Sequence, residues 1–555
     1  MANRDRRGRR PVWENDGVTT QLLLGGMVYS SPAVPDATAM AVTDGTVVWV
    51  GTDDVGRALH PDAHVIDLQG RFVSPAFVDC HVHLTDTGIA LGGLNLSGAG
   101  SRSECLRMLA EYLSEHDEDL VWGLGWDASA WSSDEPGQDS PPTTSDIDAV
   151  AGGRAVYLAR IDEHSAAASS GLRRLVPGLE SEHGYSPEQP LVADAHHRVR
   201  TTARNLIGAT ARRRAQLRAL DHAAARGVVA VHENGGPDIS GLDDFRSLAD
   251  LDHGVGVRRY WGEAASSVDE VRHILDRTGA DAIGGDLFVD GALGSHTAWL
   301  CEPYSDWSST SGVSYLSEQV ILDHLRATTE ARVQAGFHMI GDAAAAAVAQ
   351  AMEVLAAELG TPALARCVHR LEHAEMVTRA QAEIFARCGA VASMQPLFDA
   401  AWGGTEDLYA TRLGDRGTGL NDFAMLAKAG VSLAFSSDSP VCDIDPWSTV
   451  RAAAHHRTAS SSISPRAAFA ACTRGGWRAG GVNDGLTGTL VPGAPAHYAV
   501  WEVDELVVAA ATENVQRWST DPRSRVPALP DVAPGARLPE CVETVAGGRT
   551  IFRRA

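Results

Sequence analysis

Apolar and polar positions along this chain follow two different rhythms. From residue 20 to residue 73, short β-type runs (Leu22-Leu23-Leu24, Ala39-Met40-Ala41-Val42, Val47-Val48-Trp49-Val50 and His64-Val65-Ile66-Asp67) are separated by turns at Gly25-Gly26, Asp44-Gly45 and Gly70. The same texture returns near the other end, at 488–493, 498–501 and 542–552. Two β-rich ends can pair, which predicts one small discontinuous β-sandwich built from 19–73 and 484–555. Between them, apolar strand-like runs alternate with Ala-rich helical runs, the rhythm of βα units. Candidate strands are 76–82, 228–232, 255–261, 286–290, 335–339, 367–372, 390–394 and 431–437. Eight units predict an α/β fold, a (β/α)8 TIM-type barrel over 74–483, with the strand C-terminal ends forming the catalytic face. The stretch 90–226 after the first strand is too long for one loop and is expected to be an insertion. It contains helical material at 101–116 and 202–226, a strand at Ala155–Arg160 and a Ser/Pro-rich loop at 132–145. The alanine run 343–347 reads as helix.

The first barrel strand carries His81 and His83. Side chains two apart on a strand share a face, so both imidazoles can reach one metal ion. Further candidates fall at other predicted strand ends: His338 on the fifth, His373 on the sixth and Asp438 on the eighth. Two imidazoles from the first strand and a third from the fifth suit zinc or a similar borderline metal, and a carboxylate from the eighth can stand beside a bound water.

Composition narrows the partners. A formal charge of -24 argues against nucleic acid, whose phosphates select a basic face. The one basic cluster, Arg6, Arg7, Arg9 and Arg10, is read as part of a disordered, solvated tail over 1–18. No apolar run approaches the ~20 residues of a membrane helix, and Pro11 to Asp16 occupies the place where a signal peptide needs apolar residues. The expectation is a cytoplasmic enzyme with a small-molecule substrate. Eight scattered cysteines without Cys-x-x-Cys pairs fit reduced thiols. One lysine, Lys428, stands against 46 arginines.

Read together, these residues resemble the amidohydrolase superfamily, and within it the family 3 branch called YtcJ-like, which includes N-substituted formamide deformylases. The resemblance rests on the His81-Val82-His83 clamp, Gly123-Leu124-Gly125-Trp126-Asp127, the run Tyr157 to Ser165, and the run Phe288 to Ala298. It continues through Glu302 to Asp306, His338 to Asp342, Arg370-Leu371-Glu372-His373-Ala374, Ser437-Asp438-Ser439-Pro440 and Asp445-Pro446. It implies that His81, His83 and His338 hold a metal, and that His373 either binds a second metal or hydrogen-bonds the attacked carbonyl. Asp438 would take a proton from the activated water and return it to the departing nitrogen of an amide or formamide bond. Relatives commonly place a lysine whose carbamate bridges two metals where this chain has Asp286, and the only lysine, Lys428, precedes the eighth strand. One zinc per chain is therefore expected, with a doubtful second site in which Asp286 is the doubtful ligand. His296 replaces a usual arginine, and His497-Tyr498 replaces the Asp-Leu of a usual Ala-Asp-Leu. Substrate contacts are expected from His296, His164, Asp162 and Trp126, with Trp131, Trp307 and Trp402 also placed near the barrel mouth. A lactonase, esterase or deaminase on the same site, and a non-catalytic metal-binding member, stay open as alternatives. A homodimer is implied only at the level of the family.

Overall fold

The computed structural model describes residues 20–30, 34, 36–117, 119–131, 137, 139–508 and 527–555. The basic tail and part of the Ser/Pro-rich loop lie outside the described residues. Phe77–Val82 (β1), Val228–Gly235 (β2), Gly256–Trp261 (β3) and Ala282–Ile283 (β4) pair in parallel in the order β4-β3-β2-β1. Gly336–Met339 (β5), Arg370–His373 (β6), Val391–Met394 (β7) and Ser432–Phe435 (β8) form a second parallel sheet in the order β5-β6-β7-β8. Parallel backbone bridges Val82↔Ser439 and Ile283↔Ala335 join the edges of the two sheets. Helices follow the strands, and their starts are set locally: the side chains of Ser267, Ser317 and Thr378 each accept from the backbone N–H three residues on. The alanine run 343–347 lies in the helix Asp342–Leu359, whose small side chains are mostly buried.

The expected strand 286–290 is not continuous. β4 ends at Ile283, Gly284 and Gly285 adopt φ of 141° and 73°, and the chain then runs beside β5, where His338 N–H donates to Leu287 O and Val289 N–H to His338 O, both at 3.0 Å. A Cβ on Gly284 would lie 2.0 Å from the Gly336 nitrogen. Only a residue without a side chain lets the two strands come this close, and the break re-aims Asp286.

The insertion holds more sheet than its pattern announces. Leu191–Val192, Ser165–Ala168, Ala155–Arg160, Leu120–Trp126 and Leu94–Asn95 lie side by side in that order. Gly123, Gly125 and the Ser-Ala-Ala-Ala run lack the β-branched signature, so burial in this sheet, not propensity, makes them strands. At the chain ends, the sheet of Thr20–Leu24, Ala39–Thr43, Thr46–Gly51 and His64–Asp67 and the sheet of Met27–Val28, Phe72–Pro75, Tyr498–Glu502, Glu540–Ala546 and Arg549–Arg553 share one apolar cluster. Leu23, Met40 and Val47 enter it from the first sheet; Val73, Val500 and Val545 enter from the second. Phe72–Pro75 then leads directly into β1. All eight cysteines are free thiols. Among the described residues no single helix is long and apolar enough to cross a membrane.

Two buried histidines that take no part in the cluster at the strand C-terminal ends make stability depend on pH. His324 Nδ1 accepts from Ala265 N–H and His369 Nδ1 from Ala335 N–H, both at 3.0 Å, so each ring is held neutral. Burial pushes His324 down to about 4 and His369 to about 3. A base whose folded pKa is depressed gives stability that is full above its unfolded pKa and lost as pH falls toward the folded value. Each is expected to remove about 2 kcal/mol between pH 7 and pH 5. Urea-unfolding midpoints at the two pH values check this; a midpoint that does not move, or that moves equally in His369→Gln, counts against it.

Candidate metal centre

β1 aims His81 and His83 at one point. His81 Nε2 is 3.2 Å from Asp286 Oδ2 and 3.3 Å from Asp438 Oδ1; His83 Nε2 is 3.2 Å from each of the same two oxygens. Donors bonded to one ion at about 2.1 Å with angles near 100° stand ~3.2 Å apart, so all four nitrogen–oxygen separations suit a shared ion. Asp438 reaches this point because its own N–H donates to His81 O and Ser439 O accepts from His83 N–H, at 2.9 and 2.8 Å. Its φ of 56°, like the 66° of His373, puts a non-glycine residue in the strained left-handed region just where a strand delivers its side chain. Asp286 arrives through the Gly284-Gly285 break and spans two groups: Oδ2 faces His81 and His83, while Oδ1 is 3.7 Å from His373 Nε2. Short as it is, the aspartate reaches the cluster. His338 stands apart from these contacts, its ring 4.4 Å from that of His373 and its Nδ1 3.4 Å from Asp290 Oδ1. Lys428 is exposed in the last turn of the helix Phe423–Ala429, which precedes β8.

A second set of residues holds the first in place. Glu372 Oε2 lies 2.8 Å from His81 Nδ1, while Arg370 binds both Glu372 oxygens at 2.7 and 2.9 Å. Burial works against the Glu372 anion, but Arg370 and His81 keep it well below the usual carboxylate range. An ionised acceptor at Nδ1 keeps the proton there and leaves the Nε2 lone pair for a metal. His373 Nδ1 is fixed likewise by Gln395 Oε1 at 2.9 Å, since Gln395 Nε2 is committed to Ser436 Oγ at 3.0 Å. Asp79 accepts from the backbone N–H groups of His81 and Ser437, and Asp290 from those of Trp299, Ile340 and Gly341. Burial pushes Asp79 up to about 6 and Asp290 to about 7. Sequence reading assigned no role to Glu372 or Gln395. The available signal was that Arg370 and Glu372, two apart on β6, share a face with each other.

The donor set fits a divalent cation. His83 Nδ1, Asp286 Oδ1, both nitrogens of His338, His373 Nε2 and Asp438 Oδ1 are buried without a hydrogen-bond partner, and buried polar atoms are otherwise almost always paired. Burial alone would lower His83, yet Asp286 and Asp438 push it up to about 10. Two carboxylates facing imidazoles in a buried site call for positive charge at that point, which a metal supplies in place of protons.

Beside the cluster lies a narrow pocket of about 30 Å³, reached by His338, His373 and Asp438 and bordered by Arg160, Asp162 and His164 from the insertion. His164 stands 5.2 Å from the His338 ring, and burial pushes it down to about 3. Asp162 receives Arg160 Nη1 at 2.6 Å and Ser295 Oγ at 2.8 Å. Trp126 does not line this pocket: it is buried, and its Nε1 donates to Leu158 O at 2.8 Å, bracing the insertion sheet. Nor does His296, whose Nε2 is 3.1 Å from both oxygens of Asp306 on the same loop. Of the other tryptophans, Trp402 lines the pocket, Trp131 packs in the insertion core and Trp307 is exposed.

Known proteins are similar to this chain in sequence and in fold. Protein LONG AFTER FAR-RED 3 of Arabidopsis thaliana is 27% identical over 525 residues, covering 87% of each chain. Putative amidohydrolase YtcJ of Bacillus subtilis (strain 168) is 25% identical over 475 residues, 80% of this chain and 84% of that one. The crystal structure of an uncharacterized metal-dependent hydrolase from Pyrococcus horikoshii OT3 has the same fold, with a TM-score of 0.66 and 24% identity over 88% of this chain and 98% of that one. A family model described as "Amidohydrolase family" matches residues 64–552, and the chain belongs to that family.

Proposed function

We propose that this chain is a divalent-metal-dependent hydrolase that cleaves an amide- or formamide-type carbon–nitrogen bond in a small molecule. The observation that carries the reading is the placement of His81 Nε2 and His83 Nε2 at 3.2–3.3 Å from both Asp286 Oδ2 and Asp438 Oδ1. We read the two parallel sheets, bridged at both seams, as one closed (β/α)8 barrel, and the two terminal sheets as a composite β-sandwich. His81, His83, Asp286 and Asp438 would hold one ion, zinc being the best match to this nitrogen and oxygen set.

A divalent metal held there supplies a Lewis acid for the carbonyl and a nucleophile at neutral pH. Asp438, with Oδ1 turned to the histidines, offers Oδ2 to take a proton from the attacking water and pass it to the leaving nitrogen. Glu372 and Gln395 keep the protons of His81 and His373 on Nδ1, so both rings turn a lone pair into the site. For His373 this state favours a metal-ligand role over that of a donor to the carbonyl oxygen. With Asp286 Oδ1 it forms an incomplete second pair of donors.

The test is elemental analysis of protein purified without added metal, followed by chelation and re-addition of zinc during turnover of an N-formyl and N-acetyl amine panel with ester and lactone controls. About one ion per chain, with amide turnover lost on chelation and restored by zinc, is the expected result. Turnover that survives complete removal of metal overturns the reading, and hydrolysis of the esters or lactones alone reassigns the bond.

A further inference from the structure

Attack on a carbonyl carbon places negative charge on the carbonyl oxygen, and the roles assigned so far leave that oxygen without a hydrogen-bond donor from the protein. His373 keeps its proton on Nδ1, facing Gln395 Oε1, and turns a lone pair inward. Of the other donors lining the pocket, Arg160 gives its terminal nitrogens to Asp162 and Asp127, and the Tyr409 hydroxyl is paired with Glu375 and Asn421. His338 turns Nδ1 toward Asp290 Oδ1 at 3.4 Å. His164 lines the same pocket and is only partly buried. Among the described residues its backbone makes a hydrogen bond and its ring makes none.

The backbone that carries this ring is firmly held. Glu163 adopts a φ of 55°, in the left-handed region, and Arg200 Nη2 binds its carboxylate at 2.8 Å. Asp162 Oδ1 accepts the His164 N–H at 3.1 Å, while Asp162 Oδ2 receives Arg160 from the insertion sheet and Ser295 from the loop after β4. A strained residue pinned by its neighbours on both sides is a frequent mark of a side chain placed for function. The ring it delivers lies 5.2 Å from that of His338 and 5.7 Å from that of Phe288, and the His338 ring is 4.4 Å from His373. A packing role alone would leave the ring enclosed by these neighbours rather than open to the pocket. Asp438 lines the pocket too, so a small carbonyl compound held there meets both side chains.

We propose that His164 is a catalytic hydrogen-bond donor to the carbonyl oxygen under attack, the role the family resemblance left open for His373. This rests on the hydrolase reading above. As the water oxygen bonds to the carbonyl carbon, its proton passes to Asp438 and the carbonyl π pair moves onto the oxygen, where the His164 N–H meets it. When the C=O bond re-forms, the C–N bond breaks and the nitrogen leaves with the proton from Asp438.

The experiment uses the compound of the amide, ester and lactone panel that the wild type cleaves fastest. His164→Phe, which keeps an aromatic ring against Phe288 and His338, is expected to lower kcat by about 10²–10³-fold, the usual effect of removing one oxyanion donor, with KM and metal content close to wild type. Glutamine and asparagine carry a side-chain N–H near the place of imidazole Nε2 and Nδ1 respectively. One of His164→Gln and His164→Asn should therefore recover part of the loss. N-butyl methylphosphonamidate, a tetrahedral mimic, should bind His164→Phe more weakly, while N-butylacetamide binds it as it binds the wild type. An unchanged kcat, a loss confined to KM, equal losses in all three variants, or a kcat that falls only as metal content falls overturns the donor and leaves the hydrolase reading standing. If the wild type cleaves none of the panel, the hydrolase reading fails and calorimetric titration of the phosphonamidate decides. Binding weakened in His164→Phe and recovered in one amide variant then upholds the donor, and binding that is absent or unchanged overturns it.

Discussion

Asp438→Asn is expected to lower kcat by about 10²–10⁴-fold, the usual contribution of a positioned general base and acid. The carboxylate is 6% exposed and lies between the two β1 histidines and the pocket, so no bulk buffer base can take its place. Asparagine keeps the shape and the backbone bond to His81 O, which comes from the residue 438 N–H and not from its side chain. What is lost is the ability to accept a proton and one negative charge facing the imidazoles. The profile should therefore combine a fall in kcat with weaker metal retention, both measurable on folded protein by steady-state kinetics and elemental analysis. A variant that keeps more than a tenth of wild-type kcat would remove Asp438 from the proton path.

The largest effect on stability is expected at Arg370. This guanidinium is fully buried and, besides Glu372 on its own strand, touches four others: it donates to Cys80 O at 2.6 Å and to Ser393 Oγ at 3.1 Å, meets His232 Nδ1 at 2.8 Å and lies 4.4 Å over the Tyr260 ring. Arg370→Met would leave the Glu372 charge buried without its partner, and breaking such a pair costs about 3–5 kcal/mol. The double variant Arg370→Met/Glu372→Gln should recover much of that loss, because no unpaired charge remains. It should not recover the metal site, since removing the carboxylate that orients a ligating histidine weakens metal binding by about 10–100-fold. Thermal unfolding with and without zinc separates the two effects. If the double variant is as unstable as the single one, the guanidinium acts through packing rather than by pairing Glu372.

Much of the candidate site was legible from residue order, and the reasons are local. His81 and His83 share a face because strands repeat every two residues, and His338, His373 and Asp438 were visible because each follows an apolar run that had to be a strand. Asp286 was read as a doubtful ligand because it stands where relatives have a lysine; the Gly284-Gly285 break, permitted only by glycine conformations and by the close approach of Gly336, carries its backbone toward the cluster. Trp126 and His296, expected as substrate contacts, are held by local partners, Leu158 O and Asp306, and do not line the pocket. Of the insertion sheet, only the strand Ala155–Arg160 was expected; neighbouring strands were hidden because Gly123, Gly125 and the Ser165–Ala168 run carry no strand signature of their own.

Side-chain periodicity and turn chemistry act over a few residues, so the chain alone determined where strands and helices alternate, which histidines share a face, that no lysine is available beside Asp286, and the family resemblance. The joining of strands separated by hundreds of residues decided the rest: that Asp286 and Asp438 face the same two nitrogens, that Glu372 and Gln395 set the protons of His81 and His373, and that Glu375 and Tyr409 share a pocket with them. Those contacts are made across the sheets between residues whose sequence neighbours carry no information about each other, and only the folded packing brings them together.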